Sequence, residues 1–176
     1  MFFFPISDDN QSTTRPYVCY FLIALCCFIY LWQSTLPVNL YNDAVNSFGV
    51  IPAAVLGEKE SYINPYLTIF TSMFMHGSWM HLIGNMVFLW IFGDNIEDSM
   101  GHKKFIFFYI ICGVLAAFLQ ASIDPDSMVP MVGASGAIAG VLGAYLILHP
   151  KANVNVLFWI IIFITVIKVP AFIVLS

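Results

Sequence analysis

Charged side chains are scarce in this 176-residue chain: Asp, Glu, Lys and Arg make up 9% of it, against about a quarter in a soluble domain. Hydrophobic residues fill 60% and the mean hydropathy is +0.88, so the chain reads as an integral membrane protein. Basic residues are scarcer still, six Lys and Arg against ten Asp and Glu. The formal charge of −4 argues against nucleic acid as a partner. At about 20 apolar residues per crossing, five spans fit and no second soluble domain does. The four cysteines lack metal-ligand spacing. Cys19, Cys26 and Cys27 fall in the first apolar run and Cys112 in the third, where thiols read as small packing residues and say nothing about redox compartment. The start, M-F-F-F-P-I-S-D-D-N, lacks the basic region of a signal peptide, so no cleavage is expected.

The apolar runs predict an all-α, polytopic membrane helix bundle. A tail over 1–16 leads into a membrane domain over 17–176, with spans near 17–36, 78–96, 105–121, 131–148 and 154–175. Between the first two spans lies a mixed section from Pro37 to about Gly77, too long for a plain turn. Its short apolar pieces, such as Tyr66 to Met75, read as interfacial or re-entrant. If five spans alternate, Arg15, Lys103, Lys104 and Lys151 share one side and the opposite loops hold only Lys59. The positive-inside rule then makes the N-terminus cytoplasmic and leaves Asp43 and Asp124 outside. Lys168, within the fifth span, is expected to snorkel or face a neighbour.

Met131 to Tyr145 reads M-V-G-A-S-G-A-I-A-G-V-L-G-A-Y, with glycines at 133, 136, 140 and 143. On a helix these form one stripe that lets a neighbour approach closely, and Ser135 lies roughly 120° round from it. A hydroxyl set as G-x-S-G in a membrane segment is either a polar staple between helices or a nucleophile. His81 and Asn85 lie four apart, on one face of the second span. At 1.5 Å per residue, His81, Asn85 and Ser135 sit roughly 5, 10 and 6 Å below the outer boundary. Polar groups at that depth are functional candidates. The plainer reading has Asn85 and Ser135 bonding across helices for about 0.6 kcal/mol and His81 as a core histidine. A metal on His76 and His81 needs further ligands, but Asp94 and Glu97 are at the wrong end of the span, so no metal is expected. Haem between His81 and His149 is equally disfavoured, because the two lie toward opposite faces. Glu97 reads as a structural carboxylate that ties down the corner between the second and third spans.

The order of these elements narrows the choice. F-T-S-M-F-M-H-G-S-W-M-H-L-I-G-N (Phe70 to Asn85) comes first, then G-D-N-I-E-D (Gly93 to Asp98) with Gly101, then G-A-S-G-A-I-A-G (Gly133 to Gly140). Together they resemble the rhomboid family of intramembrane serine proteases, and V-P-A (Val169 to Ala171) is similar to the bacterial members. The resemblance implies Ser135 as nucleophile in the Gly133-x-Ser135-Gly136 motif. Its own N–H, His81 and Asn85 would stabilise the oxyanion, and His76 would support the cavity. It implies a transmembrane protein substrate in the lipid bilayer, no cofactor, and a bacterial cell membrane as location. Two departures stand out. The Trp-Arg pair often found after the first span is absent. The family core has six spans and its general-base histidine lies on the sixth, which this chain does not contain, so the chain is expected to be C-terminally incomplete and inactive as it stands. The alternative from another class is a non-catalytic rhomboid-like protein that binds transmembrane helices. The sequence leaves oligomeric state and substrate identity open.

Overall fold

The computed structural model describes residues 2–57, 63–160 and 163–175. In chain order these form β1 (Phe2–Asp8), α1 (Tyr17–Thr35), α2 (Val38–Phe48), α3 (Pro52–Val55), α4 (Pro65–Ser72), α5 (Trp79–Met100), α6 (His102–Ile123), α7 (Ser135–Leu148), β2 (Asn153–Ile160), β3 (Phe163–Pro170) and α8 (Ala171–Val174). Lys59, with its neighbours 58–62, lies outside the described residues.

α5 is the central element and packs against α1, α6 and α7. Its start is fixed by Ser78, whose hydroxyl accepts the backbone N–H of His81 at 3.2 Å and satisfies one of the first-turn donors. Its end is fixed by Gly101 at φ 77°, a left-handed conformation that glycine adopts without steric cost. The core between these helices includes Leu22, Leu89, Phe92, Ile96, Phe105, Tyr109, Val141 and Tyr145, all fully buried. Cys19 and Cys26 lie in the same core as small packing residues. The section after α1 is structured as three short helices. α4 opens with Pro65 behind an Asn64 side chain that accepts the Tyr66 N–H at 2.9 Å.

Glu97 ties down a corner, as the sequence suggests, but it also reaches a third helix. Its carboxylate accepts the N–H groups of Val18 (2.9 Å) and Cys19 (2.8 Å) at the start of α1, and it pairs with His102 Nδ1 at 2.5 Å. An anion at a helix N-terminus meets unpaired donors and the positive end of the helix dipole.

Two expectations are corrected. The chain is mostly helical rather than all-α: β1, β2 and β3 form an antiparallel sheet in that order. Where a fifth span was expected over 154–175, the described residues form β2, β3 and the single turn α8, so a count of five crossings is not confirmed. The local pattern accounts for it. Asn153-Val154-Asn155-Val156 alternates with period two, and Val154 and Val156 are both fully buried. Thr165, Val166, Ile167 and Val169 continue in β-branched residues, which favour a pleated surface. Phe2 to Asp8, read as part of a tail, pairs with β2 from Phe2↔Trp159 to Asp8↔Val154. α1 and α6 are long and apolar enough to cross a membrane, and α7 is a shorter apolar helix of 14 residues.

Candidate active site

The serine helix begins later than expected. Residues 131–134 are not helical: Met131 forms an isolated antiparallel bridge with Val50, and Gly133 turns at φ 131°. Ser135 is therefore the first residue of α7, at the end where backbone N–H groups have no helical acceptors. Gly133 is held by its N–H, which donates to the Ser72 carbonyl at 2.9 Å.

Gly133 brings the two halves of the site together. A Cβ at this position would stand 2.6 Å from His81 Cε1, 2.7 Å from His81 Nε2 and 3.7 Å from Asn85 Nδ2. Only a glycine leaves room for both side chains, and the backbone angle independently requires one. His81 and Asn85, one turn apart on α5, thus lie against the turn that leads into Ser135. Asn85 is 9% exposed, and its Nδ2 has no hydrogen-bond partner. A buried amide donor left unpaired costs roughly 1–3 kcal/mol, so it is a donor held ready for an acceptor.

Ser135 is exposed and opens onto a cavity of about 170 Å³ shared with Ser72, Gln120, Gly133 and Gly136. Gly136 and Gly140 face α6: a Cβ at 136 would be 2.5 Å from Ala116 Cβ, and one at 140 would be 2.4 Å from Cys112 Sγ. Gly143 faces open space and Gly133 precedes the helix, so the expected stripe of four close-packed glycines reduces to two.

His76 lies in the non-helical segment between α4 and α5, fully buried, with neither ring nitrogen hydrogen-bonded. Its ring meets that of His81 edge-on at 5.1 Å and that of Tyr30 at 6.5 Å. Burial, with His81 adding to it, pushes the His76 imidazole down to about 4, so it is neutral near pH 7. The remaining histidines are at the other ends of their helices. His102 is paired to Glu97. His149 caps the far end of α7, about 21 Å along the helix from Ser135, and contacts Asn10 Nδ2 (2.9 Å) and Ser99 Oγ (3.4 Å). No group of metal-binding residues occurs among the described residues.

The sequence reading missed the cavity residues Ser72 and Gln120, and Gln33 of α1, whose amide bonds the His76 backbone. Ser72 lies within the quoted Phe70–Asn85 motif. Gln33 is marked only as an amide on the buried face Cys19, Leu22, Cys26, Tyr30.

Comparison with known proteins identifies this arrangement. The model of the Rhomboid domain matches residues 64–176. The rat presenilin-associated rhomboid-like protein, mitochondrial, is 31% identical over 153 residues, covering 86% of this chain and 37% of the relative. The bovine protein of the same name is 33% identical over 156 residues, 87% of this chain and 37% of its own. Bacillus subtilis YdcA, whose name places it with the rhomboid proteases, is 29% identical over 144 residues, 80% of this chain and 67% of its own. The chain spans little more than a third of the length of the mitochondrial relatives it matches. The chain belongs to the rhomboid family, whose members are intramembrane serine proteases.

Proposed function

We propose that this chain carries the nucleophile and oxyanion-binding half of a rhomboid active site acting on transmembrane protein substrates. The observation that supports it best is Gly133, which holds His81 and an unpartnered Asn85 donor against the turn that opens into Ser135. In this reading Ser135 Oγ attacks the scissile carbonyl carbon, and the carbonyl oxygen becomes an oxyanion. That oxygen accepts hydrogen bonds from the Ser135 N–H, Asn85 Nδ2 and the His81 ring. Donors fixed in place before the charge develops stabilise the transition state more than the ground state. His76 supports the cavity from behind His81.

The serine proton must leave for a base as the bond to carbon forms. Here His81 is assigned to the oxyanion, His76 is enclosed and neutral, and His102 and His149 are at the wrong ends of their helices. The 176-residue chain therefore binds a transmembrane helix and barely cleaves it. Soluble serine proteases without their triad keep roughly 10³–10⁴-fold acceleration over water. The substrate is a single-span helix with helix-destabilising residues near its outer end. The N-terminus and the corners at Lys103 and Lys151 face the cytoplasm of a bacterial cell. Because the named relatives include mitochondrial proteins, that compartment rests on the distribution of basic residues alone.

The test uses the purified chain in lipid with a model transmembrane substrate. Crosslinking should show capture, and cleavage should be undetectable and the same in Ser135→Ala. Appending a helix that carries a glycine-flanked histidine should produce cleavage, which Ser135→Ala then abolishes. Robust Ser135-dependent cleavage by the chain alone would refute the assignment of the base. Capture without cleavage in the extended chain would favour the second reading, a helix-binding rhomboid without protease activity. The absence of a reachable base in this chain supports that second reading.

A further inference from the structure

We propose that Gln33, on α1, is a positioning residue for the His76–His81 pair, holding the oxyanion side of the site from a helix that contributes no reacting group. The inference rests on the functional reading above.

Gln33 is the last residue of the buried face of α1 and is 0% exposed. Its amide makes a two-point contact with one backbone residue: the His76 N–H donates to Gln33 Oε1 at 3.2 Å, and Gln33 Nε2 donates to the His76 carbonyl at 3.3 Å. The segment at 75–78 has neither helix nor strand to satisfy its backbone. Enclosed in a membrane protein, those groups need partners from elsewhere. A side chain with one donor and one acceptor side by side reproduces what a neighbouring strand would supply. Tyr41 OH adds a donor to the Gly77 carbonyl at 3.1 Å, and Tyr30, one turn before Gln33, packs edge-on against Trp79 at 4.9 Å.

The segment so held is the one that aims the site. The His76 ring rests edge-on against the His81 ring. The Ser78 hydroxyl fixes the first turn of α5 through the His81 N–H. His81 in turn faces Gly133 with no slack. Releasing the His76 backbone therefore lets the His76 ring move, and the His81 ring loses the wall behind it.

Carbon-13 spectra of the four histidines in the full chain test this, alongside thermal melting. Gln33→Met keeps the volume and removes both hydrogen bonds. It should move the His76 and His81 signals and leave His102 and His149 in place. Gln33→Glu, buried and neutral, presents a C=O and an O–H in the same geometry and should return the His81 signal toward its parent position. His81 signals unmoved in Gln33→Met would overturn the proposal, as would all four histidines moving together, since that marks a general loss of structure. Failure of Gln33→Glu to restore the signal would assign the effect to packing and also overturn it. The measurement needs no cleavage, so its failure and that of the protease reading are separable.

Discussion

Gly140 and Gly143 sit on the same helix and should respond to alanine with opposite signs. At Gly140 a Cβ would stand 2.4 Å from Cys112 Sγ and 2.6 Å from Cys112 Cβ. A rotation of the thiol relieves the first contact but not the second, because Cβ is fixed to the α6 backbone. α6 and α7 must therefore separate or shift. Overpacking of this kind costs roughly 1–3 kcal/mol, partly offset by the roughly 1 kcal/mol that alanine gains over glycine within a helix. Gly143 is exposed with nothing within 4 Å, so Gly143→Ala meets no contact and keeps only the helical gain. The two variants should differ by about 1–3 kcal/mol, with Gly143→Ala at or above the parent. Thermal or denaturant unfolding in detergent would measure this, with Gly140→Leu as the extreme case. Cys112→Gly combined with Gly140→Ala should recover most of the loss, since it removes both clashing atoms. A Gly140→Ala variant as stable as Gly143→Ala would refute the close approach of α6 and α7.

Other outcomes can be checked with similar material. Glu97→Ala removes an acceptor from Val18 and Cys19 and the partner of His102. At roughly 1.5–3 kcal/mol per hydrogen bond to a charged group, melting should fall further than for any surface Glu or Asp. Asp8 is held near pKa 6, above its usual 3.8, chiefly by burial, with Asp94 adding and the Tyr145 hydroxyl opposing. The folded state then holds a proton that the unfolded chain has lost, so Asp8 contributes stability that is full below about pH 4 and fades as pH rises through about 6. Melting curves at pH 5 and 7.5 should show this decline in the parent and a smaller one in Asp8→Asn; equal slopes would dismiss the Asp8 account. For topology, reporters fused after Ser127 and after Lys151 should read outside and inside, and the same signal at both would remove the alternation. In the extended, cleaving chain, Asn85→Ala should lower kcat by about 10²–10³ if Asn85 donates to the oxyanion.

The parts of this fold that were legible in the sequence are those in which both partners are side chains at short, regular spacing. His81 and Asn85 are four apart and Ser135 lies between glycines, so pattern alone singled them out. The C-terminal stretch was misread because mean hydropathy over 154–175 is blind to period. The alternation at Asn153 to Val156 carries the strand signal, but it covers four residues before a continuous apolar run hides it. The start of α7 was misread for a related reason. Counting Gly133 into a helical stripe took a left-handed turn for a helix turn, because a glycine that enables one and a glycine that permits close packing look the same in sequence.

Gln33 was not legible at all, and the reason is general. Its partner is the backbone of His76, 43 residues away, and a backbone amide leaves no residue-specific mark. Asp8 and Tyr145 are a second case: their contact joins positions 137 apart, and nothing local to either predicts the other. Sequence motifs therefore reported the groups assigned to react, while the groups that hold them were visible only once the chain was folded. For this site the consequence is directional. The unpaired Asn85 donor keeps its place only because Gly133 excludes a side chain and His81 is walled by His76. The control points of the proposed chemistry thus lie on α1 and on the turn before α7, outside the His81 and Asn85 pattern that first drew attention to it.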